Sequence, residues 1–106
     1  MKKIVSFAVI SMAALSFNAT ASEAAGDAEA GKASYAMCGG CHGATGAGMP
    51  AAGYPKLSGQ TEAYIYEQLM AFKNGTRVNA TMNAMAATLA TEADVRNVSA
   101  YIATLK

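Results

Sequence analysis

Tryptophan is missing from the 106-residue chain, histidine occurs once, at His42, and the only cysteines are Cys38 and Cys41. These three side chains fall short of the four ligands of a closed zinc site, which would have to recruit a carboxylate. Charge is sparse: Asp, Glu, Lys and Arg make up 14% of the chain, with a formal net charge of +1. Nucleic-acid binders usually carry a clustered basic excess, so nucleic acid is not an expected partner. The apolar run Ile4 to Phe17 is about 14 residues, short of the roughly 20 that span a bilayer. No segment alternates apolar and polar residues as a half-buried strand does.

That apolar run has the features of an export signal. Lys2 and Lys3 precede it, Ala19-Thr20-Ala21 supplies the small residues of a cleavage site, and no positive stop-transfer flank follows Phe17. Residues 1–21 are therefore expected to be a signal peptide and 22–106 a single mature domain, located in the periplasm without a membrane span. Losing Lys2 and Lys3 leaves six basic against seven acidic residues, a net charge of −1. A domain this small, rich in alanine and glycine, has little bulky core material and usually needs a staple such as a metal, a disulfide or a cofactor.

The mature segment is expected to be all-α. Asp27 can cap a helix from Ala28 to about Met37, with Gly31 and Tyr35 on one face. Most of the glycines and both prolines fall between Gly39 and Gly59. An irregular loop of that length is unusual unless it wraps something. Thr61 can cap a second helix from Glu62 to about Asn74, with Ile65, Leu69 and Phe72 on one face and Gly75 at the stop. After a connector, a short helical pattern covers Asn83–Thr88. A last helix opens at Thr91, where Asp94 makes a variant capping box, and carries the stripe Val95, Val98, Ile102 and Leu105.

The chemistry lies in Cys38-Gly39-Gly40-Cys41-His42. Two thiols three positions apart can add across the two vinyl groups of one haem, and the adjacent histidine is then carried to the iron as the proximal ligand. A dithiol redox site with this spacing wants a strand–helix–strand context that the sequence lacks. A plain disulfide explains neither His42 nor the glycine-rich loop. One covalently bound haem c is thus the expected cofactor.

With a single histidine, the sixth ligand cannot be a second imidazole from this chain. A methionine thioether is the next choice, and it raises the potential by favouring ferrous iron. Met37 adjoins the attachment helix, Met49 lies close to His42 in sequence, and Met70 is in a helix where core packing is the usual role. Met82 and Met85 lie about forty residues beyond the motif, enough chain to reach the far face of a haem. Met82, expected in the connector just before the short helix, is the better placed. Met85 is the second choice, expected to pack beneath it.

These motifs, with Gly53-Tyr54-Pro55-Lys56-Leu57 and the closing Tyr101-Ile102 helix, resemble class I cytochromes c. Gly26–Lys32, Tyr54–Gln60 and Phe72–Arg77 resemble more closely one lobe of the bacterial dihaem cytochromes c. The resemblance covers nearly all of the mature segment, with one haem motif instead of two. It implies a class I fold of about four helices around one haem, with Cys38 and Cys41 as thioether anchors and His42 and Met82 as axial ligands. It also implies that the Pro55 carbonyl accepts the proximal imidazole N–H, and that Gly31 and Tyr35 meet Val98 and Tyr101 where the first and last helices cross. Gly31 lies seven residues before Cys38 where many class I members have eight, so the helix–haem register differs slightly.

The function expected is that of a periplasmic one-electron carrier between respiratory redox partner proteins, met transiently, as a monomer or weak dimer with no catalytic activity of its own. A haem sensor or peroxidase-like domain with a labile sixth ligand would need a distal acid–base group, and Arg77 is the sole obvious distal cation. A permanent subunit of a larger oxidase or dehydrogenase is a third reading compatible with the sequence.

Overall fold

The computed structural model describes residues 25–106, and the expected signal peptide, residues 1–21, lies outside them. Four α-helices follow in order: α1 (Ala28–His42), α2 (Glu62–Asn74), α3 (Ala80–Ala87) and α4 (Glu92–Ile102), with a short 3-10 turn at Pro50–Ala52. Among the described residues there is no strand, only an isolated bridge between Met49 and Tyr54. The domain is all-α, as its periodicities predict.

Local chemistry sets the helix starts. Asp27 accepts from Glu29 N and Ala30 N, Thr61 from Tyr64 N, and Asn79 from Met82 N. At α4, Thr91 Oγ1 accepts from Asp94 N while Asp94 Oδ2 accepts from Thr91 N, each at 3.1 Å. Such caps satisfy amides that have no partner within the helix, each worth about 1 kcal/mol. Gly75 ends α2 in the left-handed conformation, φ 85°.

The core joins faces of three helices and a connector: Tyr35 from α1, Ile65 and Leu69 from α2, Leu89 before α4, and Val95, Val98 and Ile102 from α4. The principal packing is α1 across α4, with α2 against α4 and α3 against α2. The Tyr35 and Tyr101 rings meet at 5.4 Å between centroids. Two long-range bonds hold the start of α1 in place: Gly26 N donates to Glu62 Oε2 and Asp27 N to Asn97 Oδ1, each at 2.8 Å.

Three boundaries differ from the sequence expectation. α4 ends at Ile102, so Leu105 of the expected stripe lies beyond the helix, although it still packs against the core. α1 does not stop near Met37 but runs through Gly39 and Gly40 to His42, so the irregular loop starts at Gly43. α3 begins at Ala80, which puts Met82 in its first turn and not in the connector. The cap that starts it is Asn79, whose side chain takes Met82 N.

Candidate haem-binding site

The extension of α1 brings the attachment residues together. Cys38, Cys41 and His42 occupy positions i, i+3 and i+4 of its last turns, and residues so spaced lie on one helix face. The two cysteines are not bonded to each other; Cys41 is exposed and Cys38 half-buried. Burial pushes the Cys38 thiol up from its ordinary value.

His42 is buried, and its Nδ1 lies 2.8 Å from the Pro55 carbonyl oxygen. A carbonyl only accepts, so Nδ1 carries the hydrogen and Nε2 keeps its lone pair for a metal. The loop is folded to support this. Gly48 N donates to His42 O (2.7 Å), and Leu57 N and Ser58 N both donate to Gly46 O (2.8 and 3.0 Å). From two turns earlier in α1, Tyr35 donates its hydroxyl to Gly43 O (2.7 Å). Burial, with smaller contributions from Cys38 and Tyr101, raises the Tyr35 hydroxyl and keeps it a neutral donor.

The attachment face opens onto a cleft of about 760 Å³ that also takes in the 53–57 loop, α2 and the start of α3. A cofactor cleft typically measures about 300–1,000 Å³. Ile65, Leu69 and Phe72 supply an apolar wall, and Met82 and Met85 both line the space. Met82 also packs against the core cluster. Met37 reaches the cleft but is 41% exposed, Met49 is 54% exposed and does not line it, and Met70 packs on the core.

The only charged side chains lining the cleft, among the described residues, are Lys56 and Arg77. Arg77 is fixed over the Phe72 ring, 4.5 Å from its centroid, with Nη1 2.5 Å from Gln68 Oε1. Two thiols, an imidazole with a free Nε2, thioethers, an apolar wall and two cations without a carboxylate suit a haem and its two carboxylate side chains. The residues present fit haem c.

The family model described as "Cytochrome c" matches residues 28–106. The chain belongs to the cytochrome c family. This cytochrome c domain holds one covalently bound haem c. It is similar to the "Thiosulfate dehydrogenase electron acceptor" of Thiomonas intermedia, 46% identical over 99 residues, covering 93% of this chain and 43% of that one. It is also similar to "Cytochrome c-554(547)" of Halothiobacillus neapolitanus, 46% identical over 96 residues, covering 77% of this chain and 100% of that one. Among solved structures, reduced cytochrome c4 from Pseudomonas stutzeri superposes with a TM-score of 0.70 at 33% identity, over 77% of this chain and 52% of that one. The chain thus spans less than half the length of the Thiomonas relative and about half that of the solved cytochrome c4. The class I fold and the likeness to one lobe of a dihaem cytochrome are as the sequence implies.

Sequence reasoning missed Asn79 and Asn83. Asn79 could have been found as a cap residue ahead of a helical pattern; nothing in the spacing points to the bonds that Asn83 makes.

Proposed function

We propose that the protein is a periplasmic one-electron carrier whose haem iron is held between His42 and Met82, and that it catalyses no reaction of its own. The observation that carries this is the convergence of the last turn of α1 and the first turn of α3 on one cleft, with His42 Nδ1 engaged by Pro55 and Nε2 left free. When bound, the haem supplies a one-electron ferric–ferrous couple.

The chain's own residues hold that group still and dry. Pro55 orients the His42 ring and, by accepting its N–H, raises the basicity of the other nitrogen. A Met82 thioether favours the reduced state, and Ile65, Leu69 and Phe72 exclude water from that side. Met82 is preferred over Met85 because its backbone N–H is fixed by Asn79 and its side chain is braced against the core.

Absence of enzymatic activity is supported by the lining. No second histidine and no carboxylate lines the cleft among the described residues. Export is supported by Lys2, Lys3, the following apolar run and Ala19-Thr20-Ala21. No helix among the described residues is long and apolar enough to cross a membrane. The expected partners are redox proteins, a donor and an acceptor met briefly. The similarity to a thiosulfate dehydrogenase electron acceptor makes a dehydrogenase a reasonable donor to try first.

The test is an absorption spectrum of the mature holoprotein in both oxidation states. Low-spin bands, a pyridine haemochrome typical of two thioethers and the weak far-red sulfur-to-ferric-iron band are expected. A high-spin spectrum that shifts with carbon monoxide would instead indicate a sensor or enzyme.

A further inference from the structure

Asn83 follows Met82 in α3, and successive helical residues point about 100° apart. Met82 lines the cleft while Asn83 turns to the end of α2. Its Nδ2 donates to the Phe72 carbonyl (2.8 Å) and the Arg77 carbonyl (2.9 Å), and its Oδ1 accepts from Asn79 N (2.8 Å). Two partners that only accept and one that only donates leave a single orientation for the amide, with both donors used. Phe72 lies in the last turn of α2, where carbonyls have no donor within the helix. Its neighbour Ala71 O is already taken by Arg77 N (3.0 Å). One side chain therefore ties three pieces of backbone: the end of α2, the connector at Arg77, and the start of α3. Asn79, held by Asn83, in turn holds Met82 N at 2.8 Å.

We infer that Asn83 is a positioning residue for the sixth ligand, clamping the first turn of α3 to the end of α2 so that the Met82 thioether stays on the iron. This rests on the proposed Met82 ligation. A thioether is an uncharged ligand with little electrostatic hold on the metal, so its occupancy depends on how firmly its helix is anchored. An added ligand binds in proportion to the population in which the sulfur has moved away. Removing the two donors leaves two carbonyls unpaired and loosens that turn.

The ferric holoprotein is titrated with imidazole, following the far-red sulfur-to-iron band, for wild type, Asn83→Ala, Asn83→Asp and Thr91→Ala. Asn83→Asp keeps the acceptor for Asn79 but drops both donors, separating the clamp from the cap. Thr91→Ala weakens α4 at a cap that does not line the cleft. Both Asn83 variants should bind imidazole roughly tenfold more tightly, the scale of one or two net hydrogen bonds. Thr91→Ala should lower the thermal midpoint and leave the affinity unchanged. Wild-type affinity in both Asn83 variants, or an equal rise in Thr91→Ala at a matched fall in midpoint, overturns the inference alone. A wild-type protein without the far-red band overturns Met82 ligation and the inference together.

Discussion

Gly31 of α1 lies directly on the Asn97 carbonyl of α4: a methyl group at Gly31 would sit 1.9 Å from that oxygen and 2.8 Å from Val98 N. Backbone, unlike a flexible side chain, cannot swing aside, so the two helices must separate to admit even alanine. Alanine would gain about 1 kcal/mol of helix propensity, but forcing volume into a close-packed contact costs about 1–3 kcal/mol and sometimes more. Because α1 carries the attachment residues and α4 much of the core, the strain reaches the site. Gly31→Ala should lower the thermal midpoint of the holoprotein by on the order of 10 °C. An unchanged midpoint would mean that the crossing is looser than the geometry requires.

A second close approach bears on His42. Gly48 has φ +74°, and a methyl group there would lie 2.7 Å from both the carbonyl carbon and oxygen of Pro55. Gly48→Ala should therefore push Pro55 away from the His42 N–H. A weaker bond lowers the basicity of the ring and favours ferrous iron, so the reduction potential should rise. Gly53→Ala is the control. It has φ +87° but nothing within 4 Å of an added methyl, so it carries the left-handed strain without touching Pro55. Voltammetry on the two holoproteins should show a positive shift for Gly48→Ala alone; equal shifts would assign the effect to general loop strain.

Much of this architecture was legible because it is local. Asp27, Thr61 and Thr91 announce helix starts through their own side chains, and Gly75 announces a stop by its tolerance of positive φ. The stripe Val95, Val98, Ile102 follows from helical period, and all three residues are buried. The end of α1 was not legible, since glycine is a poor helix former at about 1 kcal/mol per residue relative to alanine. Bonds outside the helix ladder outweigh that at Gly39 and Gly40: Tyr35 holds Gly43 O and Gly48 holds His42 O, so the end of the helix is tied at two successive carbonyls. The anchoring of α3 was equally hidden, because the carbonyls that Asn83 holds become partners only once α2 and the connector have folded back. Bonds such as Asp27 to Asn97, 70 residues apart, have no signature in spacing at all.

The acid dependence of stability should have a contribution from Glu92. Its carboxylate accepts from the Tyr66 hydroxyl and from Arg96 Nη2 (2.6 Å), and Arg96 stacks over the Tyr66 ring at 4.5 Å. The Tyr66 bond first, then the Arg96 bond and charge, hold Glu92 below its ordinary value. A depressed carboxylate adds stability above its unfolded pKa and loses it as pH falls through the folded value. Compared with wild type, Glu92→Gln should be slightly less stable at neutral pH, with the gap closing below about pH 4. The site is exposed, so the effect is small. Thermal midpoints of both proteins across that range would check it; a gap that widened toward acid pH would reverse the assignment.

The two methionines of α3 offer the sharpest test of the site. Met82 and Met85 lie three positions apart on one helix and both line the cleft, so identity of the ligand is a question of which sulfur the fold holds. Met82 has the cap bond at its nitrogen and the core behind it; the Met85 carbonyl instead takes Thr88 N (3.1 Å) and Oγ1 (2.6 Å) in closing the helix. Met82→Ala should abolish the far-red band, let reduced protein bind carbon monoxide, and lower the potential by on the order of 0.1 V or more, a modest part of the range that axial ligands span. Met85→Ala should keep the band and the potential, and cost about 2 kcal/mol through the space it leaves. The opposite pattern would move the sixth ligand one turn along α3. The clamp made by Asn83 would then act on the wrong sulfur, because Met85 lies beyond the turn that it ties down.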